Sequence, residues 1–342
     1  MNMFFRIILD YDTLVSEIVA KIPEKHFVSE TDTFLDPAFA GGQLLKAVAR
    51  RLNKYGHSIE NIRSRLFGYE DSIAYLNHSK NKSTAMIAQL SVVKYQEFLN
   101  MNKNMKFDAI VSNPPYQKEG NAKRWVLWHE FIKKSIDLSE NVAMVVPASL
   151  VGPGSMFDTI KNNTRILNLD VKKHFAVGST FCYFVYDKSF TGNTRIITDK
   201  NTFDIDLTNK QFLPPIITRK TLNMMDVLSG NRIWKRGEYH TSDKEWATDT
   251  GMEVIHTAAQ TLSTKRPHPN TAKIRVGVTL SGYPKFVAVE DKGFSQACFW
   301  TEFNTMAEAK DFEVYCNSEE IQEILKTYKW SGWNSKAVII KL

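Results

Sequence analysis

At 342 residues, with 43% hydrophobic and 24% charged side chains, the chain can bury a sizeable core and is no peptide-sized binding module. Three cysteines, Cys182, Cys298 and Cys316, stand far apart with no C-x-x-C pair, which argues against a disulfide framework and against a structural metal. No apolar run approaches a membrane span. A net charge of +7 with a pI near 9.1 favours an anionic partner without identifying it.

The first elements read in chain order as alternating helices and strands. Leu14, Val15, Ile18, Val19 and Ile22 recur at helical intervals, "DTFLDPAFAGG" predicts a short strand ending in a glycine turn, and "GGQLLKAVARRL" predicts the next helix. "RLFGYED" reads as a second strand ending in acid, "AYLNHSKNKSTAMIAQL" as helical, and "VVKYQEFL" and "KFDAIVSNPPY" as two further strand-and-loop units. "RWVLWHEFIKKSIDL" predicts a helix in which Trp125 and Trp128 pack, and "NVAMVVPASLV" and "STFCYFVYDK" predict buried strands. This alternation defines an α/β protein with a doubly wound, mostly parallel sheet, whose ligands belong at the carboxyl ends of the strands.

Beyond about Asn201 the pattern changes to short alternating strands, Pro and Gly punctuation and interleaved Lys and Arg. The expected organisation is a first domain over 1–200 and a smaller, mixed or β-rich domain over 201–342. The N-terminal "MNMFFRIILD" lacks a basic leader and a small-residue cleavage site, so a cytoplasmic location and no membrane partner are expected.

The stretch "FDAIVSNPPYQKEG" places two prolines and a tyrosine directly after an apolar strand. Pro114 and Pro115 stiffen the turn and lack N–H donors, so carbonyl oxygens are left to face a cleft; Asn113 adds a side-chain carbonyl and Tyr116 a flat aromatic face. Two acceptors beside an aromatic plate suit a heterocycle with an exocyclic amino group, such as adenine. Asn113 and the Pro114 carbonyl would hold the amino hydrogens while the ring stacks on Tyr116, leaving the nitrogen lone pair exposed to an electrophile.

The Asn113 to Tyr116 stretch resembles the catalytic motif of S-adenosylmethionine-dependent adenine-N(6) methyltransferases, and the chain is similar to their gamma, TaqI-like class, of restriction-modification or phage type. The resemblance runs from about Thr13 to Lys188 and rests on layout alone over the last third. It implies a Rossmann-like class I methyltransferase domain over 1–200, S-adenosyl-L-methionine as cofactor, and a target-recognition domain over 201–342. "FLDPAFAGGQLL" resembles the first cofactor motif and implies that Asp36, Pro37, Ala38 and Gly42 hold the methionine end; Ala40 stands where the family usually has glycine, and Phe39 where it has a small residue. "LFGYED" resembles the second motif and gives Glu70 to the ribose hydroxyls. "KYQEFL" resembles the third and gives Glu97 and Phe98 to the cofactor's adenine, and Thr13 matches the N-terminal threonine motif. "HFAVGSTFCYFVYDK" aligns Phe175 with the aromatic residue on the opposite face of the target base.

An adenine stacked in double-stranded DNA cannot reach a cleft, so it would be flipped out and sandwiched by Tyr116 and Phe175. The same motif also serves RNA adenine and protein glutamine methylation. DNA is favoured by basic stretches interleaved with aromatics, "NRIWKRG" and "STKRPHPNTAKIR", which nominate Lys235, Arg236, Lys265 and Arg266 for phosphates. A reading from another class is a restriction or specificity protein that binds DNA. Glu290-x-Lys292 has a nuclease-like spacing but no upstream Pro-Asp partner, so a restriction endonuclease acting with this chain is expected to be separate.

Overall fold

A computed structural model describes residues 11–73, 77, 86–116, 127–175, 180–240, 251–264, 268–330 and 336–342. The chain divides into two units, Met1–Gln211 and Phe212–Leu342.

In the first unit the strands are β1 (Phe34–Asp36), β2 (Leu66–Glu70), β3 (Gln89–Val92), β4 (Ala109–Ser112), β5 (Asn141–Pro147), β6 (Thr164–Asn168), β7 (Phe181–Asp187), β8 (Thr194–Ile197) and β9 (Thr202–Ile205). Among the described residues they form one sheet in the order β3-β2-β1-β4-β5-β7-β6-β8-β9. From β3 to β5 every pairing is parallel; β7 then runs antiparallel to both β5 and β6. The apolar runs of β1, β4, β5 and β7 are buried almost throughout, as strands covered on both faces must be. From β1 the chain turns to β2 on one side, and β4 later pairs on the other. The order reverses there, so the crevice opens beyond Asp36 and Ser112.

Two helices cover one face of this region. Tyr11–Lys21 turns Leu14, Val15, Ile18 and Val19 into the core, where they meet Leu44, Leu45, Val48 and Leu52 of the helix Gln43–Lys54. Arg51 ties the two together, donating from Nη1 to the carbonyls of Val19 and Ile22, with its guanidinium 3.8 Å from the Phe27 ring centroid. Glu17 anchors the first helix to the sheet: its Oε1 accepts from Asn168 Nδ2 of β6 and from the Tyr183 hydroxyl of β7, each at 2.7 Å.

The stretch "VVKYQEFL", expected to be a strand-and-loop unit, divides into the end of a strand and a helix. β3 ends at Val92, and Tyr95–Leu99 is a helix because Glu97 Oε2 accepts the Lys94 amide at 3.0 Å and closes its first turn. β8 and β9 carry the first unit past Lys200 to Gln211.

The second unit holds β10 (Lys235–Arg236), β11 (Met252–Ile255), β12 (Thr261–Thr264), β13 (Arg275–Thr279), β14 (Phe286–Val289), β15 (Gly293–Phe294) and β16 (Cys298–Glu302). Among the described residues they make a four-stranded sheet, β10-β16-β13-β14, and a three-stranded one, β12-β11-β15. Arg275 is fully buried; its Nη1 lies 2.7 Å from Glu238 Oε1, and its guanidinium stands 4.8 Å from the Trp300 ring and 5.1 Å from that of Phe294. The helices Met306–Cys316 and Glu319–Thr327 follow β16. The three cysteines are buried and unpaired. Among the described residues no helix is long and apolar enough to cross a membrane.

Removing Glu17 leaves the buried Tyr183 hydroxyl and Asn168 amide without their acceptor. Glu17→Ala is expected to cost about 2 kcal/mol of stability in urea denaturation of the full chain, and Glu17→Gln, which keeps an acceptor, clearly less.

Candidate active site

The turn after β1 is built around a buried carboxylate. Asp36 is 2% exposed, and its Oδ1 accepts the Ala38 amide at 3.1 Å. Burial pushes its pKa up to about 7, the Glu70 carboxylate adds to the rise, and the Ala38 amide and Ser112 hydroxyl oppose it. Pro37 and Ala38 are buried within the turn. The chain then reverses: Gly42 donates to the Phe39 carbonyl at 2.7 Å and enters the helix Gln43–Lys54 with φ +71°. Ala40 has φ +47°, the left-handed region in which glycine is at ease and a methyl group is not. Alanine therefore stands at this position at a conformational cost. Phe39 is accommodated by Gly68 in β2, where a Cβ would come within 2.6 Å of the Phe39 ring.

Glu70 ends β2 and reaches across to the same turn. One of its oxygens accepts the Ala40 amide at 2.8 Å and the other the Ser72 amide at 3.1 Å; the side chain is 4% exposed, and burial raises its pKa. The adjacent Asp71 takes a different task, accepting the Tyr95 amide at 2.9 Å and so fixing the start of the helix Tyr95–Leu99. In that helix Glu97 is exposed, while Phe98 is fully buried against Phe131, with ring centroids 5.1 Å apart. Thr13 lies exposed in the first turn of the helix Tyr11–Lys21. Thus Asp36, Pro37, Ala38, Gly42 and Glu70 come together around one turn. Glu97 closes its own helix, and Phe98 is a core residue.

The proline loop leaves β4 at the same edge. Asn113, Pro115 and Tyr116 are half-buried and Pro114 is buried. The Tyr116 hydroxyl donates to Asn113 Oδ1 at 2.6 Å, which fixes the amide and leaves that oxygen a second lone pair. Because β7 runs antiparallel, its first residue, Phe181, pairs with Pro147 at the end of β5 and arrives at this edge too. The Phe181 ring lies 5.1 Å from that of Tyr116 and stacks on Phe175 at 4.4 Å and 22°. Phe181 and Ser112 were not singled out from the sequence. The only signal for Phe181 is the alternation of Phe181, Tyr183 and Val185 onto one face, and for Ser112 its place before the proline loop.

In the second unit Lys235 and Arg236 are exposed on β10, but successive strand residues point to opposite faces. Lys235 lies over Trp300 at 5.2 Å and Arg236 over Phe299 at 5.8 Å, so the two charges do not form one patch. Lys265, Arg266 and Trp125 lie outside the described residues. Among the described residues no group of three His, Cys, Asp or Glu side chains is placed to hold a metal.

The strand order, with the crevice beyond β1 and β4 and an antiparallel β7, defines an α/β nucleotide-type fold of the class I methyltransferase kind. Residues 43–175 match the family model described as Eco57I restriction-modification methylase. That span is less than half of the chain; it holds Glu70, the proline loop and Phe175 and begins after Asp36. An uncharacterized adenine-specific methylase of Mycoplasma pneumoniae is 25% identical over 227 residues, covering 55% of this chain and 52% of that protein. The chain thus spans about half the length of the curated relative it matches. Two solved structures share the fold at a TM-score of 0.52. One is the ATP-dependent Type ISP restriction-modification enzyme LlaBIII bound to DNA, at 10% identity over 86% of this chain and 33% of that chain. The other is the DrdV–DNA complex, at 12% identity over 90% of this chain and 51% of that chain.

The raised Asp36 value has a definite sign. An unfolded aspartate loses its proton near pH 4, whereas the folded one keeps it to about 7. Folding stability attributable to this group therefore falls as pH rises through that window and levels off above it. Asp36→Asn, which still offers an oxygen to the Ala38 amide, is expected to raise the unfolding temperature relative to the parent chain more at pH 8 than at pH 5; calorimetric scans at the two pH values read this directly. Ala40→Gly relieves a left-handed strain of about 1–2 kcal/mol but gives the unfolded chain more freedom, so a net gain of about 0.5–1 kcal/mol is expected in denaturant titration.

Proposed function

We propose that this protein binds S-adenosyl-L-methionine and methylates the exocyclic amino nitrogen of an adenine in double-stranded DNA. The observation that carries the reading is the placement of Asn113–Pro114–Pro115–Tyr116 at the end of β4, directly beside the buried Asp36 turn at the end of β1. An acceptor-and-aromatic loop for an amino heterocycle and an acidic crevice for a second ligand then share one sheet edge. The match to a restriction-modification methylase model over residues 43–175 and the adenine-specific description of the Mycoplasma pneumoniae relative support the same reading.

The acidic crevice suits the proposed cofactor. Asp36 and Glu70 are two buried carboxylates with raised pKa values; among the bonds described for them their partners are backbone amides and, for Asp36, the Ser112 hydroxyl, with no cation. A ligand bringing a cation and hydroxyl donors relieves that environment. Asp36, Pro37, Ala38 and Gly42 would hold its methionine end and Glu70 its ribose, with Thr13, Glu97 and Phe98 at the margins. When bound, this group supplies an activated methyl on a sulfonium.

The remaining tasks belong to the chain. Asn113 Oδ1 and the Pro114 carbonyl take the two amino hydrogens of the target adenine, drawing the lone pair out of conjugation and toward the donor. The Tyr116 hydroxyl holds Asn113 in that orientation, and Tyr116 and Phe175 supply the aromatic faces for a base taken out of the duplex. Residues 201–342, with Lys235, Arg236, Lys265 and Arg266 among their cations, would provide the DNA contacts.

The test is transfer of labelled methyl groups from S-adenosyl-L-methionine to DNA by the full-length chain, with the modified position found by sequencing. Label in ribosomal RNA or release factor, and none in DNA, would overturn the reading. Asn113→Ala is expected to lower turnover by about 100-fold or more while leaving cofactor affinity nearly unchanged in calorimetry, since its side chain serves the target amino group alone.

A further inference from the structure

Three aromatic rings meet where β4 ends and β7 begins, and two of them have a role in the reading above. The third is Phe181. It is 7% exposed, stacks on Phe175 at 4.4 Å and 22°, and lies 5.1 Å from Tyr116 with a tilt of 33°. Phe175 is 6% exposed and Tyr116 packs against the same core cluster. The two faces assigned to the target base are therefore both in contact with the protein's own ring. On the polar side, the Tyr116 hydroxyl donates to one lone pair of Asn113 Oδ1.

We propose that Phe181 is a placeholder for the target base: its ring fills the slot between Tyr116 and Phe175 while no nucleotide is bound, and it swings aside when an extruded adenine enters. The inference rests on the adenine methyltransferase reading. Its physical basis is the cost of the alternative, because an unfilled slot between two aromatic faces leaves a void in the core or a wet apolar surface. A phenyl ring fills it with stacking contacts and, unlike tyrosine or tryptophan, carries no polar atom that would have to be partnered. The position allows movement. Phe181 is the first residue of β7, at the sheet edge where the crevice opens, and its backbone is pinned by the pairing with Pro147 and by the Ala148 amide donating to Thr180 at 3.0 Å. A displacement of the ring is then asked of the side chain alone, with the strand held in register.

The exchange has an energetic consequence. An entering base gains stacking on Tyr116 and Phe175 only as Phe181 gives up the same contacts, so the net gain is small unless the amino group also finds Asn113 and the Pro114 carbonyl. A base that stacks well but lacks an amino group at that place is held weakly. Phe181 therefore converts a generic aromatic slot into one that rewards the hydrogen-bonded fit.

The experiment uses the full-length chain with S-adenosyl-L-homocysteine and two duplexes carrying the sequence found methylated. One duplex has adenine at the target position and the other an abasic site. With no base to insert, the ring stays in place, so Phe181→Ala and Phe181→Leu should bind the abasic duplex like the parent chain. For the adenine duplex their Kd should fall by about tenfold, the scale of one stacking contact. Phe181→Leu retains most of the core volume and carries the test should the alanine variant not fold. If either folded variant binds the adenine duplex more weakly, or shifts both duplexes alike, Phe181 is a fixed floor beneath Tyr116 and the proposal is wrong. Failure of the underlying reading shows separately, as an absence of methyl transfer to DNA by the parent chain.

Discussion

A parallel strand pair cannot be joined by a hairpin, and the rest of this molecule follows from that constraint. β1, β2 and β4 lie side by side in the same direction, so each must be followed by a crossover and each crossover leaves from the same edge. The Asp36 turn, the Glu70 carboxylate and the proline loop come from positions scattered over some eighty residues, yet the pairing delivers them to one crevice. The antiparallel β7 adds a different kind of contribution, because it brings the beginning of a strand, not its end, to that edge. This is how Phe175 and Phe181 meet Tyr116.

Among the described residues little in the crevice offsets its acidic groups. Burial raises both Asp36 and Glu70, and the groups opposing the rise are backbone amides and a hydroxyl, with no described lysine or arginine among them. In the second unit, by contrast, the buried Arg275 is paired with Glu238. An unpaired acidic site costs stability and is retained where a ligand supplies the missing partner.

The parts of this architecture that were legible in the sequence are those whose residues meet the same environment everywhere along the element. β4, β5 and β7 are buried on both faces and read as continuous apolar runs, and the proline loop announces itself by composition. The short helix at Tyr95–Leu99 stands where the sequence suggests a strand and loop, because so few apolar residues carry no clear period; what decides it is the bond from the Lys94 amide to Glu97, a local cap. The same kind of signal, Thr305 with Glu308, opens the helix Met306–Cys316. Motif position named Glu70 and Asn113 as site candidates, but charge runs alone do not show that Lys235 and Arg236 are successive residues of a strand, whose alternation sends them to opposite faces. Phe181 was invisible for a further reason: its importance lies in what it touches across β4 and β5, and nothing in its own neighbourhood marks it.

Glu70 links two loops that are thirty residues apart in the chain. One carboxylate oxygen holds the Ala40 amide of the turn after β1, and the other holds Ser72 in the segment after β2. Neither loop can change its course alone, since a shift in one alters the carboxylate on which the other depends. The two segments therefore form one mechanical unit, and substitutions in them are expected to combine non-additively for as long as the carboxylate at position 70 joins them.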